Sequence, residues 1–172
     1  MSNDPVMPLD HDTGPSGDSA ERDIRGVLIQ IAGARLLLPN ATVAEVMSFA
    51  PPESVVGAPA WLLGRTRWRG WQVPLIGFAQ LTGLADEQGT LNSKVLVLKA
   101  LGGNPKAPYF AILSQGFPRL VTVSRATLET SGDPAELPPM VLAEVRLNED
   151  DAYVPDLVAV ETLIIETLSA AA

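Results

Sequence analysis

From Ile24 onward the sequence is cut into apolar runs of only four to eight residues, separated by glycine and proline. The chain holds 14 glycines and 15 prolines among 172 residues, so few stretches are long enough for an amphipathic helix. Short apolar runs bounded by turn residues form β-strands, and the spacing predicts a mainly β fold. Ile24 to Ile31 and Arg35 to Leu38 flank Ala32-Gly33-Ala34, which predicts a hairpin. Asn40 or Thr42 is positioned to cap a helical turn after Pro39. Val43 to Phe49 alternates, with Val43, Glu45, Met47 and Phe49 on one predicted face. A second hairpin is expected from Gly64 to Trp68 and Trp71 to Ile76 around Arg69-Gly70, followed by a short helix from Phe78 to Leu81.

The second half repeats the style. Strands are expected at Lys94 to Ala100, Pro108 to Ser114 and Arg119 to Ser124, then a Pro-rich loop to Pro139. Val141 to Leu147 and Ala152 to Val154 predict a hairpin over the acidic turn 148–151. Leu157 to Leu168 is the best helix candidate, since Leu157, Val160, Ile164 and Leu168 recur at helical spacing. An internal repeat links the halves: Trp71-Gln72-Val73-Pro74 and Ala152-Tyr153-Val154-Pro155 each end a hairpin at Val-Pro and feed an apolar helix. Two similar small barrels, each closed by its last strand and helix, follow from that pattern.

Composition removes several classes of function. The net charge is −8, against the clustered positive charge that nucleic acid requires. Residues 1–23 carry six acids against Arg22 alone, a net −5, with several Pro and Gly, and are expected to form a disordered tail. That segment also holds His11, the chain's one histidine, and there is no cysteine. The expected folded part therefore lacks the groups for a Ser-His-Asp triad, a histidine or thiolate metal site, or a phospho-accepting histidine. The longest uncharged stretch, Gly70 to Ala85, is 16 residues and is broken by Pro74 and Gly77, too short to span a bilayer. No signal peptide is visible, and a cytoplasmic protein without membrane insertion is expected.

Three features invite a chemical reading. Trp61, Trp68 and Trp71 crowd into eleven residues beside Arg65, Arg67 and Arg69, which alternate and lean to one side of a strand. One ring buried and one on an interaction face is the expected outcome, with an acidic protein surface the partner for the arginines. Glu45, on an otherwise apolar face, needs a cation, and Arg69 is the candidate. Leu101-Gly102-Gly103-Asn104-Pro105-Lys106 lacks the Gly-Lys-Ser/Thr element of a phosphate loop and predicts a hairpin turn. Glu149, Asp150 and Asp151 match no calcium loop and predict a solvated tip.

Residues 39–84 resemble the CheW-like domain, the adaptor module of bacterial chemosensory arrays. The resemblance lies in Val43-Ala44-Glu45-Val46, Gly57-Ala58-Pro59, and above all Gly64-x-x-x-x-Arg69-Gly70-x-x-x-Pro74-Leu75-Ile76. Tyr153-Val154-Pro155-Asp156-Leu157 extends it, so that about residues 24–168 are covered. Ala100-Leu101-Gly102-Gly103 and Tyr109 through Pro118 look closest to the ChpC-type adaptor of chemosensory pilus systems. The resemblance implies two SH3-like five-stranded barrel subdomains with short helices and a C-terminal helix. It implies no catalysis and no cofactor. Its partners would be a chemoreceptor cytoplasmic tip and the regulatory domain of a CheA-type histidine kinase. Val43, Glu45, Gly64 and Arg69 match places used for receptor contact or for shaping that surface, and Trp68 joins them as a contact candidate. Two departures stand out: Gly77 replaces the usual Asp and Phe78 its Leu, and Arg65 and Arg67 occupy positions that are commonly apolar or amide.

A contrasting expectation is a ligand-binding or hydrolytic barrel that uses Glu45, Glu144 or Asp156, which requires two carboxylates converging in one pocket. A detached regulatory module of a larger kinase is a third; chain length and the Met1 start favour a stand-alone protein.

Overall fold

The computed structural model describes residues 23–171; the acidic segment expected to be disordered lies outside them, apart from Asp23. Eleven strands form two sheets among the described residues. They are β1 (Ile24–Ile31), β2 (Ala34–Pro39), β3 (Val43–Ser48), β4 (Leu62–Trp68), β5 (Trp71–Ile76), β6 (Lys94–Lys99), β7 (Tyr109–Ser114), β8 (Arg119–Val123), β9 (Leu128–Ser131), β10 (Val141–Leu147) and β11 (Asp150–Pro155). Helix α1 spans Phe78–Leu81 and α2 spans Leu157–Ala171. One sheet has the order β3-β6-β7-β5-β4, the other β8-β1-β2-β11-β10-β9.

The sheets do not divide the chain at its middle. β1 and β2 join the late strands, whereas β6 and β7 join the early ones, so the two units interleave. The repeat seen in the sequence survives as topology. Each Val-Pro strand is the second arm of a hairpin and then runs parallel to a neighbour: β5 to β7 at Leu75↔Ala111, and β11 to β2 at Tyr153↔Leu36. Each hairpin's first strand also shifts register near its start, at Leu62/Gly64 and at Val141/Ala143.

Three apolar clusters explain why β6 and β7 are continuous apolar runs. Val95, Val97, Ala111 and Leu113 fill the inside of the five-stranded sheet, with Trp68, Val73 and Leu75. Leu96, Leu98, Phe110 and Ile112 face the other way, into the core between the sheets, where they meet Ile29, Ile31, Leu36 and Leu38. Leu28, Leu37, Val145, Leu147 and Ala152 fill the second unit. A strand buried on both faces loses its polar alternation. Helix α2 covers the central core through Leu157, Val160 and Ile164.

Several local expectations change. The second unit has six strands rather than five, because the Pro-rich loop contains β9. The chain turns a corner at Ser124–Thr127, held by Leu128 N–H to Ser124 O at 3.1 Å and Ser124 N–H to Thr127 Oγ1 at 3.1 Å. That corner carries it from one edge of the sheet to the other. Residues 40–42 do form a 3-10 turn, but Pro39 occupies its N-cap position, and Thr42 Oγ1 donates back to Pro39 O at 2.7 Å. A register shift between Val43 and Glu45 breaks the predicted β3 face. Val43 packs against the central core while Met47 and Phe49 pack inside the five-stranded unit. The acidic tip is also smaller than expected: Asp150 and Asp151 lie in β11, and they pair with Arg119 and Arg146.

Candidate functional site

β3 and β4 are the two outer strands of the five-stranded sheet. The β4–β5 turn reaches β3 through the side chain of Arg69. Arg69 (φ 48°) and Gly70 (φ 82°) both adopt left-handed backbone, the signature of a two-residue type I′ hairpin turn. Arginine at the first of these positions is strained by about 1–2 kcal/mol relative to glycine. From there Arg69 Nη2 donates to Glu45 Oε1 on β3 at 2.8 Å, as the lone carboxylate of that strand required. The two side chains are 70% and 37% exposed, so solvent screens the pair and its stabilisation is at most about 1 kcal/mol.

Beneath the pair lies Trp68. The Arg69 guanidinium carbon sits 5.0 Å from its ring centroid, and Tyr109 meets the same indole edge-on at 4.7 Å. Trp68 is 7% exposed and its Nε1 has no hydrogen-bond partner. Trp71, across the turn, is 40% exposed, which gives the one-in, one-out arrangement expected of this cluster. Trp61 is half-buried against the central core.

Gly64 shapes the flank. It is buried with φ 145°, and a Cβ there would stand 2.4 Å from the carbonyl oxygen of Glu53. The bare glycine lets the 52–53 segment lie across β4, where Glu53 and Arg65 exchange two backbone hydrogen bonds of 2.8 Å. This strap is invisible in the sequence, where the Pro-rich stretch from Ala50 to Pro59 reads only as a loop. Of the five residues singled out there, Glu45 and Arg69 form the outer surface. Trp68 and Gly64 lie beneath it, and Val43 is half-buried at the bulge.

The three arginines divide between two adjoining clefts. Arg67 and Arg69 line one with Trp71 and Gln72, whereas Arg65 lines the next, which shares Trp71 and Gln72 and adds Pro74 and Lys106. The carboxylates of the hydrolytic expectation are scattered as well. Glu45 pairs with Arg69, Asp156 Oδ1 accepts from Ala159 N in the first turn of α2 at 3.0 Å, and Glu144 lines a cleft beside Arg35 and Tyr153 in the other sheet. The glycine turn at 101–103 does present backbone N–H groups to an anion, but the anion is internal. Buried Glu161 of α2 accepts from Leu101 N at 2.9 Å and from Gly102 N at 2.9 and 3.1 Å. Among the described residues no group of His, Asp or Glu is arranged to hold a metal ion, and no helix is long and apolar enough to cross a membrane.

Residues 25–163 match the family model of the CheW-like domain. The chain belongs to the CheW-like domain family. Its fold is similar to the crystal structure of the scaffolding protein TtCheW from Thermoanaerobacter tengcongensis, at a TM-score of 0.64 and 15% identity over 87% of this chain and 91% of that one. No protein of curated function matches it. The structure shows how the chain manages with glycine at position 77. Gly77 is the N-cap of α1 and offers no side chain, yet Ala79 N–H in the first turn is capped by Glu87 Oε1 at 3.1 Å. The other Glu87 oxygen accepts from Ala32 N at 2.8 Å and Gln115 Nε2 at 3.1 Å, tying α1 to the β1–β2 turn.

Proposed function

We propose that the protein is a non-enzymatic adaptor that couples a chemoreceptor cytoplasmic tip to the regulatory domain of a CheA-type histidine kinase. The observation that carries this reading is the Arg69–Glu45 pair, displayed on a strained turn above Trp68, in a chain of the CheW-like domain family. An exposed arginine over a buried aromatic suits a contact hot spot: the indole holds the guanidinium in place while its free N–H donors meet carboxylates of the partner. Val43, Glu45, Gly64, Trp68 and Arg69 are the residues of this surface, the first three and Arg69 by their match to the family motif. Gly64 acts by seating the strap rather than by touching a partner, since it is buried. The protein works by contact in the cytoplasm, at receptor arrays, without cofactor, metal or nucleic acid. The segments Ala100 to Gly103 and Tyr109 to Pro118 favour the ChpC-type pilus branch, with twitching as the output.

Purified protein is expected to co-elute with a CheA-type regulatory domain and with a receptor-tip fragment. Arg69→Glu weakens the receptor contact at least tenfold with an unchanged circular dichroism spectrum. Absence of binding to either partner from the same cell refutes the proposal.

A further inference from the structure

A second concave surface lies between the β4–β5 hairpin, the β6–β7 turn and the end of α2. Its floor is apolar, formed by Pro74, Ala107 and Leu168 of α2. Trp71 and Tyr109 make one wall, with ring centroids 6.1 Å apart in an edge-on arrangement. Arg65 and Lys106 stand at the rim, and among the described residues neither forms an ion pair. Glu53 is the backbone partner of Arg65 but lies beyond ion-pair distance. The single carboxylate at the inner end, Glu161, is buried and already accepts the N–H groups of Leu101 and Gly102. The groove therefore offers two cations and two aromatic rings around an apolar floor, and among the described residues that line it the one carboxylate, Glu161, is already engaged.

We propose that this groove docks an acidic, apolar peptide segment of a partner protein. The segment's carboxylates would meet Arg65 and Lys106 while an aliphatic or aromatic side chain covers Pro74 and Leu168. Charge complementarity selects such a segment over a neutral or basic one, because each cation is flanked by apolar surface that weakens solvent screening on docking. None of the five residues of the adaptor surface lines this groove, so the site goes beyond that reading and stands or falls separately.

The test uses the full chain and a terminally blocked synthetic peptide alternating glutamate and leucine, with a lysine–leucine peptide as control. Isothermal titration calorimetry reads the binding, because the chain's three tryptophans do not report separately. The glutamate–leucine peptide is expected to give a saturable change that weakens at least tenfold in the Arg65→Glu/Lys106→Glu double variant and with added salt. Both side chains reach solvent, so the double variant is expected to melt within a few degrees of the parent. Arg69→Glu leaves peptide binding intact, which separates this site from the adaptor surface. Equal binding of the lysine–leucine peptide, equal binding by the double variant, or no saturation at millimolar peptide overturns the proposal. Tenfold preference for a synthetic peptide of residues 1–22 would assign the groove to the chain's own acidic segment and overturn the partner reading. Self-association of the full chain that the double variant abolishes would do so in favour of a second copy.

Discussion

Replacing Glu87 with alanine tests how α1 is capped when its N-cap residue, Gly77, has no side chain to do it. The carboxylate is 2% exposed and serves three donors, at 2.8 Å (Ala32 N), 3.1 Å (Ala79 N) and 3.1 Å (Gln115 Nε2). Glu87→Ala leaves two backbone N–H groups without their acceptor, each costing about 1–3 kcal/mol, so a loss of about 2–6 kcal/mol is expected. For a domain of this size that lowers Tm by about 5–15 °C. The companion variant is Gly77→Asp. Its backbone is ordinary (φ −97°), but a Cβ there stands 3.4 Å from Glu87 Cβ and 3.5 Å from Oε1. In the parent, the new carboxylate faces Glu87 across that gap and destabilises. In the Glu87→Ala background it caps α1 again and recovers about 1 kcal/mol. Urea unfolding of the four proteins closes a double-mutant cycle. A Glu87→Ala cost below about 0.5 kcal/mol, or a Gly77→Asp effect of the same sign in both backgrounds, refutes the exchange of one cap for the other.

Gly64→Ala adds a Cβ 2.4 Å from a backbone oxygen at a left-handed φ; it is expected to cost about 1–3 kcal/mol in thermal melts and to free the Glu53 strap for faster amide exchange. Arg69→Asn removes both the strain and a weakly stabilising ion pair, so stability stays within about 1 kcal/mol by urea titration while receptor-tip affinity falls at least tenfold. Glu161→Ala unties the turn at 101–103, which is expected to raise amide exchange at Leu101 and Gly102 at least tenfold and leave the β6–β7 pairing protected.

Local pattern located the β4–β5 hairpin, the Val-Pro repeat and both helices, because each is written in contiguous residues with turn chemistry at the ends. The Glu45–Arg69 pair was also legible: a carboxylate on an apolar strand must find a cation, and a nearby turn offered one. What escaped were decisions made by distant parts of the chain. The sequence left interleaved strands open, but which pairs cross over, β1–β2 to one sheet and β6–β7 to the other, leaves no local trace, since doubly buried strands look alike in either. β9 is four residues with two exposed glutamyl and threonyl side chains, and only its pairing with β10 makes it a strand. The bulge at Val43 moves one residue to the other core, which alternation cannot anticipate. Glu87 sat in what reads as a polar connection; its three donors come from residues 32, 79 and 115.

The most direct test of the adaptor account is the mass, by analytical ultracentrifugation, of the species formed when this chain is mixed with both a receptor-tip fragment and a CheA-type regulatory domain. The account predicts a ternary complex containing all three, which Arg69→Glu reduces to the chain with the kinase domain alone. Mutually exclusive binding of the two partners, or a ternary complex untouched by Arg69→Glu, contradicts it.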